Sequence, residues 1–233
     1  ICDFGLPKKF SYLKIAEIRA LKPNTPILAL TATATKKVVR DIQDKLLFKK
    51  QNVIQNSFKR ANLAYMALEE SHKSTRVLKI LCKIKGPAII YARSRIKTYE
   101  FSSELNKLGI SSTYYHAGLS ENERTTNQEK WMNNTTRVMV ATNAFGMGID
   151  KPDVRLVIHL QNPDTTEAYF QEAGRAGRDG EKAFAISLFQ KSDFENSMNR
   201  FTETYPSSSD VRIIYQNLAD FLQIAIGDGF EQT

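Results

Sequence analysis

Residues 88–115 read AIIYARSRIKTYEFSSELNKLGISSTYY, and the alternation inside this stretch decides the fold. Ala88-Ile89-Ile90-Tyr91-Ala92 is apolar throughout, the pattern of a strand buried on both faces. Ser94 can cap the helix expected over Ile96 to Leu108, which stops at Gly109. A second strand, Ser112 to Tyr115, follows at once. Strand, helix and strand in that order form a βαβ unit, whose crossover makes the two strands parallel.

The same rhythm continues in both directions. Upstream lie a strand near Leu63 to Leu68 and a helix from Thr75 to Ile84, with Ser74 as the expected cap. Downstream, Ser120 and Glu123 form a capping box for a helix running to Met132. Arg137 to Ala141 and Val154 to Leu160 read as strands, Asp164 with Glu167 starts a helix, and Lys182 to Phe189 is a last strand. The fold class predicted is α/β, a parallel sheet flanked by helices on both faces, with function expected at the strand ends.

Before this region, the helical pattern of Ile15, Ile18, Ala20 and Leu21 ends at Lys22-Pro23, and Ile27-Leu28-Ala29-Leu30 reads as a buried strand. Thr35 can cap a helix with Val38, Val39, Ile42 and Leu46 on its apolar face, and Val53-Ile54 has a strand pattern. The polar segment from Asn56 to Asn62 is the expected domain boundary. After Asp193 the chain turns helical, breaks at Tyr205-Pro206-Ser207-Ser208-Ser209, and ends with a helix from Val211 to Leu222. Three parts are therefore expected, 1–58, 59–203 and a helical tail over 204–233.

With 233 residues, 42% of them hydrophobic, the chain is long enough to bury a sizeable core. It contains no apolar run of membrane-spanning length and its first residues do not read as a signal peptide, so neither membrane insertion nor secretion is supported. An intracellular location is expected, cytoplasmic and nucleoid-associated in a bacterium or nuclear in a eukaryote. Cys2 and Cys82 belong to no CxxC or Cys/His cluster, so no zinc or other metal site is predicted. A net charge of +8 fits a polyanionic partner, although charge alone says little about which.

Three strand ends lead into small hydroxylated or glycine-bearing loops: Ala92-Arg93-Ser94, Ala141-Thr142-Asn143, and Leu30-Thr31-Ala32-Thr33-Ala34-Thr35. Free N–H groups at a helix start, helped by a Ser or Thr hydroxyl, attract a phosphate. The plainer alternative is that Ser94 and Thr35 only cap helices. In Gly174-Arg175-Ala176-Gly177-Arg178-Asp179-Gly180 two arginines three apart can project to one side, which suits the charge spread over a transferring phosphoryl group. Gly146-Met147-Gly148-Ile149-Asp150 is not a dinucleotide fingerprint, because Lys151-Pro152 follows where a helix with a third glycine is required. His116 follows a strand and stands alone, without a metal cluster.

In order, Leu30 to Thr35, Ile90 to Ser94, Val140 to Pro152 and Tyr169 to Gly180 resemble motifs III, IV, V and VI of superfamily 2 helicases. Tyr115-His116-Ala117-Gly118-Leu119, Asn143 to Pro152 and the motif VI wording look most like the RecQ DNA helicases. The resemblance covers roughly residues 12–195. It implies paired RecA-like lobes with ATP and Mg²⁺ between them, and single-stranded or partly duplex DNA across their top. By that resemblance the parent is an ATP-dependent 3′–5′ DNA helicase of repair or recombination. Arg178 would be the arginine finger and Arg175 would support the γ-phosphate, while Gly148 and Asp150 line the nucleotide cleft. Ser94, His116, Ala117, Gly118, Thr142 and Asn143 would face DNA, and Thr31, Thr33 and Gln171 would couple the two sites.

No GxxxxGK segment followed by Ser or Thr occurs, and no DExH box. The expectation is a fragment, the second lobe with the end of the first, that hydrolyses no ATP alone because the lysine and magnesium side of the site is missing. The tail has none of the cysteines of a RecQ zinc module. Competing readings are an RNA helicase or DNA translocase with the same lobes, and a non-catalytic nucleic-acid or protein-interaction module.

Overall fold

A computed structural model describes residues 15–17, 21–31, 34–55, 57, 59–146 and 149–222. Its centre is a six-stranded parallel sheet of β1 (Leu63–Glu69), β2 (Ala88–Tyr91), β3 (Ser112–Tyr115), β4 (Val138–Ala141), β5 (Leu156–His159) and β6 (Ala183–Phe189). The strands lie in the order β1-β6-β5-β2-β4-β3. Helices α1 (Lys36–Lys45), α2 (Lys73–Lys83), α3 (Arg95–Lys107), α4 (Glu121–Met132), α5 (Thr166–Ala173), α6 (Lys191–Thr204) and α7 (Ser208–Leu222) complete the described elements with a 3-10 turn at Ile15–Glu17.

Every residue of β2, β4 and β5 is buried, which is why these strands read as unbroken apolar runs. Alternate residues feed two cores. Ala88, Ile90, Val138, Val140, Leu156 and Ile158 face Val77 and Leu81 of α2 and Phe101 and Leu105 of α3. Ile89, Tyr91, Met139, Ala141 and Val157 face the other way, against Trp131 of α4, Ala173 of α5 and the loop residues Phe145, Ile149 and Ala176. The helices are thus on both sides of the sheet, as the rule of right-handed crossovers leads one to expect when the strand order reverses direction, here from β2 past β4 to β3 and back.

Two polar devices hold the helix ends. Ser120 and Glu123 form the capping box at the start of α4. The Arg137 guanidinium donates to the carbonyls of Leu81 (2.7 Å), Ile84 (2.6 Å) and Gly86 (3.0 Å), satisfying acceptors at the C-terminus of α2 that no intrahelical N–H reaches. Desolvation lowers the Arg137 pKa from its usual value. Trp131 is fully buried, and its indole N–H donates to the Ala88 carbonyl at 3.1 Å, so α4 is fastened to β2 by a polar tip on an apolar body.

Several expected elements differ. Ile27–Leu30 and Val53–Ile54 are not strands, and Leu28, Leu30 and Ile54 are 81%, 84% and 91% exposed. A strand needs a neighbour to take up its N–H and C=O groups, and among the described residues none pairs with either run. Of the helical pattern at Ile15, Ile18, Ala20 and Leu21, the described residues show the 3-10 turn at Ile15–Glu17 and a helical Leu21, with residues 18–20 outside the described set. Helix α2 starts earlier than expected, with His72 rather than Ser74 at its N-cap and no side-chain cap bond. Thr165, not Asp164, caps α5, because the Asp164 carboxylate is paired with Arg93 while Thr165 accepts from the Ala168 N–H at 3.1 Å. The final helix begins at Ser208, so it includes two residues of the predicted break.

Replacing Trp131 with alanine should lower the unfolding free energy by about 3–5 kcal/mol in urea titrations, from lost contacts and the cavity left behind. A loss below about 1 kcal/mol would contradict the packing described for α4.

Candidate functional site

The strand register puts Tyr115, Ala141, Tyr91, His159, Ser187 and Ala67 in one row across the sheet near its C-terminal edge. The loops after β2, β4 and β3 leave this row side by side. They carry Ser94, Thr142 with Asn143, and His116 to Gly118. Ser94 accepts from the Lys97 N–H (3.4 Å) as N-cap of α3, so its capping role is real and occupies one lone pair. Thr142 is buried, its N–H bonded to the Tyr115 carbonyl (3.1 Å) and its hydroxyl accepting from Ala144 N–H (3.4 Å), whereas Asn143 is exposed. Ala117 and Gly118 are exposed, and a Cβ at Gly118 would lie 3.0 Å from Arg95 Nη1 and 3.4 Å from His116 Nδ1. Arg95, given no role by the sequence, thus brings a fixed cation to the hydroxylated edge.

The two arginines are elsewhere. Helix α5 leaves the C-terminal edge after β5 and crosses one face of the sheet. The loop after it bonds near the start of β5, through Gly177 N–H to Val154 O (2.7 Å) and Asp179 N–H to Pro152 O (3.2 Å). The hydroxylated loops thus gather at the strand ends, while the loop that carries the arginines runs across one face toward the opposite edge. Gly177 has φ +62°, and a Cβ there would meet the Asn62 amide at 2.7 Å, so only glycine fits without strain. Asn62 donates to Gly177 O (2.7 Å) and Glu181 O (2.9 Å), while Arg60 donates to Gly174 O (3.1 Å) and to Gly177 O. Arg60 and Asn62 come from the segment read as a boundary, and they brace the arginine loop.

Arg175 Nη1 donates to the Gly146 carbonyl at 2.6 Å, and Arg178 Nη1 donates to Ile149 O (3.0 Å) and to Asp150 Oδ1 (2.7 Å). Both guanidinium groups thus reach one segment, 146–150, as their spacing suggested. Their environments differ. Arg175 Nε is buried with no partner, whereas the Arg178 and Asp150 side chains are 36% and 84% exposed. An ion pair so open to water contributes at most about 1 kcal/mol, so Arg178 can exchange Asp150 for another anion at little cost.

Behind Arg175 lies a buried polar group that the sequence did not mark. His159 Nε2 and Glu172 Oε2 are 2.8 Å apart, with His159 fully buried. Tyr91 stacks on His159 (ring centres 5.3 Å apart, 16° between planes) and donates its hydroxyl to Phe145 O at 3.0 Å. Burial pushes the Tyr91 hydroxyl well above its ordinary value, despite the opposing pull of Arg175, so it stays a protonated donor. The contacts form a closed circuit. His159 holds Glu172, Glu172 shares its turn with Arg175, Arg175 holds Gly146, and Phe145 beside it holds Tyr91 over His159.

Two of the three expected coupling residues fall among the described residues. Thr31 is exposed in the segment 21–31, and Gln171 is exposed on α5. Thr33 lies outside the described residues, as does Gly148 of the expected nucleotide cleft. Among the described residues, no group of three or more His, Cys, Asp or Glu could hold a metal ion.

Residues 72–180 match the helicase conserved C-terminal domain. The RecQ-like DNA helicase blm-1 of Caenorhabditis elegans is 38% identical over 224 residues, 93% of this chain and 22% of that relative. The probable ATP-dependent DNA helicase RecS of Bacillus subtilis is 38% identical over 201 residues, 84% of this chain and 40% of that relative. The chain therefore spans less than half of either. The solved structure of Saccharomyces cerevisiae dbp5 bound to gle1 and ip6 superposes with a TM-score of 0.64 over 90% of this chain and 58% of that one, at 20% identity, a likeness of fold alone. The domain match and these relatives agree: the chain belongs to the RecQ family of superfamily 2 helicases and carries the C-terminal RecA-like lobe.

Proposed function

We propose that this chain is the arginine-bearing half of an ATP-driven 3′–5′ DNA helicase, serving repair or recombination wherever the cell keeps its DNA. The observation that carries the reading is that Arg175 and Arg178 both seat on segment 146–150, which continues directly from the Thr142–Asn143 loop. One short run of backbone therefore joins a phosphate-binding edge to a pair of permanent cations. Residues 1–58 would belong to the first lobe, 59–203 to the second, and 204–233 would lead to an accessory domain.

ATP would lie against segment 146–150, with the first lobe supplying magnesium and the P-loop lysine. Arg178 releases Asp150 and turns to the γ-phosphoryl group, where its planar fork matches charge that develops in the transition state. Asp150 cannot itself grip a polyphosphate, since like charges repel; it parks the finger between turnovers. Arg175, expected from the resemblance to support the γ-phosphate, already gives Nη1 to Gly146 O, and on this reading it acts by fixing the position of the loop rather than by touching the phosphate. Gly148 would let the backbone approach the nucleotide. At the other edge Ser94, Thr142, Asn143 and the His116–Gly118 turn take DNA phosphates, with Arg95 adding charge. Thr31, Thr33 and Gln171 would face the partner lobe and relay nucleotide state. Relatives such as blm-1 and RecS are named DNA helicases, which favours DNA, whereas another relative, 40% identical over 197 residues, is named a putative ATP-dependent RNA helicase, so the duplex comparison below decides between them.

In the full-length protein, Arg178→Ala should cut DNA-stimulated ATP turnover about 10³-fold or more and leave DNA binding near normal. Equal loss of both would sink the finger role, and equal unwinding of matched RNA duplexes would remove the DNA assignment. A Cβ added at Gly146 would lie 2.9 Å from Arg175 Cζ. Gly146→Ala should therefore displace that guanidinium and slow turnover about 10²-fold, the scale of a misplacement near 1 Å. Unchanged steady-state kinetics for this variant would contradict the role given to Arg175. The polypeptide described here should show no DNA-stimulated ATP hydrolysis by itself.

A further inference from the structure

Strand β3 is an edge of the sheet, and three of its outward groups are already occupied. Asn106 accepts from the Ser112 N–H (2.8 Å) and donates to the Ser112 carbonyl (3.0 Å), and Asn127 donates to the Tyr114 carbonyl (3.0 Å). These side-chain bonds blunt the edge against another β-strand. Beside it, α3 and α4 leave a cleft of about 530 Å³, lined by side chains that include Tyr99, Lys107, Tyr114, Asn127 and Lys130. Two lysines and no carboxylate line this cleft, whereas the comparable cleft beside Ser71 to Thr75 contains Glu100 and Glu104.

Its aromatic rings lead toward the edge of the sheet. Tyr99 is 56% exposed and meets Tyr114 edge-on, with ring centres 5.2 Å apart. Tyr114 is in turn 5.9 Å from His116, and Arg95 lies beside the His116–Gly118 turn. Rings that accept stacked bases, next to lysines that accept phosphates, are what a sequence-tolerant single-strand site requires.

We propose that this cleft is an additional binding site for single-stranded DNA, taking one or two nucleotides just beyond the strand held at the C-terminal edge. A base stacks on Tyr99, and the backbone runs over Lys107 and Lys130. The proposal rests on reading that edge as the DNA face, and it extends the track around the side of the lobe along β3.

Fluorescence anisotropy of labelled oligothymidylates of increasing length, with the full-length protein, tests it. Past the length that fills the edge, Tyr99→Ala should bind about tenfold more weakly than wild type, the effect of one lost stack. On shorter oligomers the two should bind alike. Tyr99→Phe should behave as wild type at every length. Lys107→Ala combined with Lys130→Ala should reduce the slope of log affinity against log salt by about 1.4, the value for two phosphates on a single strand. Tyr99→Ala binding like wild type at all lengths, or Tyr99→Phe losing affinity as alanine does, overturns the cleft and leaves the edge assignment standing. Failure of wild type to bind any oligomer in a salt-sensitive way overturns both.

Discussion

The hydrogen bond between His159 and Glu172 decides where α5 lies on the sheet, and the arginines take their positions from it. A carboxylate placed on the face of a parallel sheet is costly unless a donor meets it there, because water is not available to do so. His159 stands at the end of β5 and points to that face, with Tyr91 stacked beside it. With Glu172 held at this point, Arg175 one turn later reaches Gly146, and the loop beyond it crosses to Val154 and Pro152. Arg60 and Asn62 fasten the far end of the loop. A side chain in the middle of the core thus governs the direction of two cations near the surface.

The arrangement separates what must be rigid from what must move. Arg175 is held by a backbone carbonyl inside a circuit of buried contacts, so its displacement would disturb Tyr91, Phe145 and Glu172 together. Arg178 is held by an exposed carboxylate, an interaction that water and salt weaken readily. On the proposed function, this asymmetry makes one arginine a fixed strut and the other a mobile finger. Thr142 and Gly146 lie within five residues of one another, so a shift at the DNA edge has a short path to the strut.

Much of the architecture was legible because the physics behind it is local. Uniform apolar runs such as Ala88–Ala92 announce strands buried on both faces, and Ser94, Thr35 and the Ser120/Glu123 pair announce helix starts that the structure bears out. Ile27–Leu30 has the same composition as a buried strand, but whether such a run pairs depends on neighbours distant in sequence. The arginine spacing indicated projection toward one side, and both guanidinium groups do reach residues of segment 146–150. What it could not indicate was the route of α5, since Val154 and Gly177 are brought together only by the complete crossover. His159 and Tyr91 were hidden inside apolar runs, where a single polar residue looks like a tolerated exception. One signal was available: a histidine within Val154 to Leu160, followed thirteen residues later by a helical glutamate, fits a buried pair across a βα unit. Arg60 and Asn62 were overlooked because polar residues between patterned segments read as a linker.

On the proposed function, segment 146–150 holds one arginine in place and lends the other to the nucleotide. The decisive measurement is a crystal structure of the full-length protein with a non-hydrolysable ATP analogue, magnesium and single-stranded DNA. Arg178 is expected on the γ-phosphate with its Asp150 contact broken, and Arg175 still bonded to the Gly146 carbonyl. Arg178 keeping its bond to Asp150 while other cations contact a fully engaged nucleotide would contradict both roles.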